Sequence, residues 1–155
     1  LANEINDVNE KVYHQINNGV YKTGFATTQA AYEQAFTELF EGLDWVESVL
    51  GRQRYLVGDK LTEADWRLFT TLIRFDAVYY GHFKCNKRTL NSYPNIRHYL
   101  RELYQINGVS DTVELSYTKR HYYGSHKTIN PTLIVPLGPD LDFNLPHERA
   151  EKFPV

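Results

Sequence analysis

The sequence predicts an all-α domain with a long ordered C-terminal extension, and three observations predict it. Apolar residues recur every three or four positions through most of the first two-thirds of the 155-residue chain. Helix start and stop signals bracket those runs. From Tyr122 onward the period vanishes and the chain becomes proline-rich, yet it stays too apolar to be free of the helices.

The first helix carries Ile5, Val8, Val12 and Ile16 on one face, and Asn17, Asn18 and Gly19 read as its end or as a turn. The second runs through Tyr32, Ala35, Phe36, Leu39, Leu43, Val46 and Leu50, with Gly51 as its C-terminal stop. The third has the best-marked start. Thr62 stands at the N-cap and Asp65 three residues later, a capping-box variant, with Leu61 and Trp66 at the staple positions. The residues after it are apolar on nearly every face, which marks a central helix. Arg74 and Asp76 lie inside that helix and need partners, because an unpaired buried charge is very costly. Pro94 opens a fourth helix with Ile96, Tyr99, Leu100, Leu103 and Tyr104 on its stripe and Gly108 after it. Ser110 is expected to cap a short fifth helix through Val113 and Tyr117. Residues 132–136 read as a short extended segment.

Composition narrows the function classes. A net charge of −2 carries no basic bias toward nucleic acid or an anionic membrane. The apolar runs are too short for a transmembrane helix. A single Cys forms no internal disulfide, which suits a reducing, cytoplasmic setting. The chain has no Met and begins at Leu1, so it is expected to be excised from a longer protein.

Twelve tyrosines are the unusual feature. Tyr21, the pair Tyr79 and Tyr80, and the pair Tyr122 and Tyr123 stand in three separated places. Phenols converging on one cleft would give it aromatic walls with polar tips and a means of passing a proton. The plainer reading is that Tyr is a common half-buried residue. His82, His121 and His126 lack the spaced Cys or carboxylate neighbours of a metal site, so they read as hydrogen-bonding anchors for a loop. Cys85 follows a helix instead of opening one, which favours a structural thiol over a nucleophile. No Gly-rich phosphate loop, nucleophile elbow or HExxH motif occurs. No complete catalytic set is present, so either the domain is not an enzyme or the reactive group lies elsewhere.

The helix order and GDKLTEADWRLF resemble the C-terminal domain of glutathione transferases. VYKTGFA at 20–26, RFDAVYYGHFKCN at 74–86, YPNIRHYLRELYQINGV at 93–109 and HYYGSHKTINP at 121–131 resemble, more narrowly, the glutathionyl-hydroquinone reductases, also called Xi-class or omega-like transferases. The resemblance implies a helical domain over 1–120 and an extension packed on it over 121–155. It also implies an N-terminal thioredoxin-like domain, absent from this chain, that holds the glutathione site and the nucleophilic Cys.

The implied reaction consumes a glutathionyl-hydroquinone and glutathione and yields hydroquinone and glutathione disulfide. By the same resemblance Tyr21 exchanges a proton with the substrate, while Tyr79 and Tyr122 lower the pKa of the nucleophilic Cys. A homodimer through the helical domain is also implied, and this fragment alone is expected to be inactive. The alternative is a non-catalytic helical interaction module. Whether Tyr80 or Tyr123 also lines the cleft is left open by the sequence.

Overall fold

In a computed structural model the chain folds as a bundle of helices, and residues 1–154 are described. Helices α1 (Ala2–Val12) and α2 (Asn18–Phe25) join through a π-helical turn, Tyr13–Asn17. Helix α3 (Gln29–Arg52) follows. Then α4 (Glu63–Arg74) passes through a second π-turn, Phe75–Tyr79, into α5 (Tyr80–His82). Helix α6 (Pro94–Tyr104), α7 (Leu115–Tyr123) and a short α8 (Arg149–Lys152) complete the set. There is no strand among the described residues, including 132–136; Tyr55 and Gly58 form one isolated bridge.

The apolar stripes meet as their spacing requires. Val12, Ile16, Val20, Leu39, Leu43, Val46, Leu50, Leu68, Leu72 and Phe75 are buried in one core with Ile96, Tyr99 and Leu103 of α6. Asp65 anchors it. Its carboxylate accepts from the Thr62 N–H at 2.9 Å, as the capping box requires, from the Leu56 N–H at 3.0 Å and from the Tyr99 hydroxyl at 2.7 Å. One N3 side chain thus caps α4 and ties a loop and α6 to it.

Three local expectations are corrected. Asn17, Asn18 and Gly19 do not end the first helix. Asn17 Nδ2 donates to the Thr71 hydroxyl at 2.5 Å and to the Arg67 carbonyl at 3.2 Å. Gly19 faces Leu39, and a Cβ on Gly24 would lie 2.3 Å from the Phe83 ring. The polar and small residues that signal a turn therefore serve helix packing instead. Gly51 does not stop α3, which runs to Arg52 with Gln53 extended. The guanidinium of Arg149 takes the carbonyls of Leu50, Gln53 and Arg54, supplying from the far end of the chain what a glycine cap supplies locally. Ser110 opens a single 3-10 turn, Ser110–Thr112, while α7 starts at Leu115 with the Glu114 carboxylate accepting from the Ser116 N–H at 3.2 Å.

The chain after α7 returns to the helices. Arg149 is 1% exposed and pairs with the buried Glu102 of α6 at 3.4 Å. Glu102 also accepts from Arg54 at 3.1 Å and from the Tyr55 hydroxyl at 2.5 Å. A buried guanidinium needs such a set of acceptors, since leaving water costs several kcal/mol (roughly) per ion.

Candidate functional site

The site begins with the two π-turns. A π-turn inserts one residue into the helical ladder and rotates the side chains beyond it, and such turns concentrate at functional sites. The first contributes Tyr13 and Asn17 and precedes Tyr21; the second ends on Tyr79. Their helices form two walls of an open cleft of about 600 Å³, and the end of α7 brings Tyr122 to its edge. Trp66, Thr70, Thr71 and Arg74 of α4 line the same cleft.

Three hydroxyls meet along its lining. Tyr21 lies 2.6 Å and Tyr79 2.9 Å from the hydroxyl of Tyr122, which is the hub. The sequence separations are 101 and 43 residues. Tyr79 is 2% exposed, its ring stacked on Phe83 at 5.3 Å, whereas Tyr21 is 39% exposed. Burial, reinforced by the bond to Tyr122, drives the Tyr79 phenol far above its ordinary range, so it stays protonated and can serve as a donor. Burial also raises Tyr21, helped by Tyr122 and opposed by the charge of Arg74. Tyr122 has two lone pairs and one proton. When both neighbours donate to it, its own proton is free to point into the cleft.

The two charges noted inside the central helix find different partners. Asp76 accepts from the N–H groups of Leu90 at 2.7 Å and Asn91 at 3.1 Å, capping a 3-10 turn, Leu90–Ser92. Arg74 donates to the Thr70 carbonyl at 2.6 Å and has no carboxylate partner among the described residues, leaving a positive charge on the cleft wall. Arg67 is occupied by Glu63 at 2.5 Å.

All three sequence-predicted residues, Tyr21, Tyr79 and Tyr122, are brought together. Tyr80 and Tyr123 do not line the cleft. Cys85 is fully buried, with its sulfur 3.9 Å from the Val20 carbonyl, and burial pushes its thiol well up. That is the reverse of what a nucleophilic thiol needs. Sequence reasoning did not assign Tyr13, Asn17, Trp66 and Arg74 to the cleft. The charge of Arg74 inside an apolar helix was the one signal that could have found a member. No group of three or more His, Cys, Asp or Glu placed to hold a metal occurs among the described residues, and no described helix is long and apolar enough to cross a membrane.

Residues 29–102 match the glutathione S-transferase C-terminal domain family. The chain is 49% identical over 153 residues to the glutathionyl-hydroquinone reductase YqjG of Escherichia coli, covering 99% of this chain and 47% of that protein. It is 56% identical over 136 residues to the glutathionyl-hydroquinone reductase PcpF of Sphingobium chlorophenolicum, covering 88% and 44%. The glutathione-bound structure of YqjG superposes with a TM-score of 0.96 over 97% of this chain and 49% of that one. The Xi-class transferase of Phanerochaete chrysosporium does so with a TM-score of 0.89, at 52% identity, over 94% and 49%. The chain therefore spans about half the length of the curated relatives it matches.

Proposed function

We propose, from the match of residues 29–102 to the glutathione S-transferase C-terminal domain family, that the chain forms the substrate-binding half of a glutathione-dependent reductase acting on glutathionyl-hydroquinones. The observation that carries the proposal is the convergence of three phenol hydroxyls in one cleft. A scaffold has no use for such a group; a reaction that must deliver a proton to an aromatic leaving group does. Relatives named as glutathionyl-hydroquinone reductases, similar along nearly the whole chain, support the same reading.

In this reading a thiolate from a thioredoxin-like domain attacks the glutathionyl sulfur. The carbon–sulfur bond breaks, its electrons stay with the ring carbon, and that carbon takes a proton as hydroquinone leaves. A second glutathione then attacks the mixed disulfide, releasing glutathione disulfide and regenerating the thiolate. Glutathione is the co-substrate. Cys85 is sealed in the core, so the nucleophile is supplied from outside these 155 residues. Tyr21, the more exposed phenol, gives the proton to the ring. Tyr122 directs its hydroxyl toward the reacting sulfur, and Tyr79 supports it from behind as a fixed donor. The aromatic and polar walls, with Trp66 and Tyr13 beside Asn17 and Arg74, suit a flat phenolic ring. The protein works in the cytoplasm as a homodimer paired through this helical domain.

The test is turnover of glutathionyl-menadiol with glutathione by the full-length protein, beside Tyr21→Phe. Activity that falls at least about 100-fold in the variant is expected, the scale of a lost proton-transfer group. No turnover by a protein whose thioredoxin-like domain and Cys are intact would move the assignment to a non-catalytic binding module.

A further inference from the structure

The HYYGSH segment contributes more than Tyr122. His126 Nδ1 lies 2.9 Å from His82 Nε2, across 44 residues of sequence, and the two rings meet edge to edge with centroids 5.1 Å apart and planes 17° from parallel. His82 sits in α5, three residues beyond Tyr79, and is buried. His126 follows the hub tyrosine by four residues and packs its edge against the Tyr122 ring at 5.8 Å. Phe25 and Phe83 meet its other sides. The loop is closed behind it: the Asn130 N–H donates to the His126 carbonyl at 2.9 Å, and Asn130 Nδ2 donates to the Tyr123 carbonyl at 2.7 Å.

Among the described residues, the histidine pair joins residues 115–136 to the helix that follows Tyr79, beside the bonds of Tyr122 itself and the contact of the Tyr123 phenol with the His82 backbone. Tyr122 is held in the triad by α7 together with the segment that follows it. Its backbone is fixed from one side by the helix and from the other by His126.

We propose that His82 and His126 are positioning residues that clamp the end of α7 and thereby hold the Tyr122 hydroxyl between Tyr21 and Tyr79. The proposal rests on the reductase reading for its catalytic consequence and on the geometry alone for its structural one. Two neutral imidazoles share one proton in the bond, and one added proton can still leave a donor facing an acceptor. A second added proton leaves two donors face to face and breaks it. The charged and titratable groups around the pair are Lys84 near His82, His121 near His126, and the phenols of Tyr122 and Tyr123.

The experiment compares His126→Phe with His126→Asn in the full-length protein. Phe keeps the ring packing and loses the bond; Asn places a polar atom where Nδ1 stands. The expected result is a kcat about tenfold to a hundredfold lower in His126→Phe with KM little changed, the scale of a misplaced catalytic group. His126→Asn should stay near the wild type and lose the acid limb of the kcat profile. The effect of His126→Phe should vanish in a Tyr122→Phe background. Equal losses in the Phe and Asn variants, or an undiminished effect in the Tyr122→Phe background, would overturn the proposal. Should the wild type show no turnover, the reductase reading fails and crystal structures decide the clamp. The Tyr122 hydroxyl should leave hydrogen-bonding distance of Tyr21 and Tyr79 in His126→Phe and keep it in His126→Asn; an unmoved hydroxyl in His126→Phe refutes the clamp.

Discussion

Replacing Tyr122 with Phe removes one oxygen and tests the hub directly. The two partners that lose it differ in burial, and that difference sets the magnitude. Tyr21 is 39% exposed and can turn its hydroxyl to water, so its loss is that of an ordinary hydrogen bond, about 0.5–1 kcal/mol. Tyr79 is 2% exposed and its bond at hydrogen-bonding distance is the one to Tyr122, so burial leaves its oxygen poorly satisfied at a cost of about 1–2 kcal/mol. The sum is about 2 kcal/mol of folding stability. Tyr21→Phe leaves the Tyr79–Tyr122 bond in place and should cost about 1 kcal/mol or less. Denaturant unfolding of both variants beside the wild type reads the order, and a reductase assay reads the chemistry, with kcat of Tyr122→Phe falling at least about 100-fold. Equal stability of Tyr122→Phe and wild type, or a larger loss in Tyr21→Phe, would refute the hub geometry. Full turnover in Tyr122→Phe would refute its catalytic use.

Arg149→Ala should destabilise the domain by about 3 kcal/mol, because it leaves the buried Glu102 with Arg54 and Tyr55 only and uncaps the end of α3; unfolding midpoints no lower than wild type would show the extension to be dispensable. Gly24→Ala should cost about 1–3 kcal/mol, since its Cβ would stand 2.3 Å from the Phe83 ring that stacks on Tyr79, and a calorimetric scan checks it against Gly138→Ala, where a Cβ meets nothing. Burial lowers the His82 pKa to about 4, so the unfolded chain binds the extra proton first. Stability is then full above about pH 6.5 and declines as pH falls toward about 4, and His82→Gln should flatten that part of the curve.

Helix existence was legible from local chemistry. The spacing of Val12 and Ile16, of Leu39, Leu43, Val46 and Leu50, and of Ile96, Tyr99 and Leu103 specifies which face each helix buries, and Thr62 with Asp65 specifies where one begins. These are relations between residues three and four apart, so the sequence carries them whole. The helix ends were less legible. Asn17 and Gly19 have turn chemistry, yet Thr71 and Leu39, twenty residues away at the nearest, recruit them to packing.

For the site, the inventory was legible in the chain alone: an excess of phenols in three clusters, a charge inside an apolar helix, and motifs resembling one family of transferases. Packing set what those groups do to one another. It chose Tyr122 over Tyr123 and Tyr79 over Tyr80, because two π-turns and the end of α7 set the direction of each side chain. It also sealed Cys85 in the core and joined His82 to His126. Hydrogen bonds and burial act over about 3 Å between groups that the chain separates by 43 to 101 residues, and only the packed helices bring them within that reach.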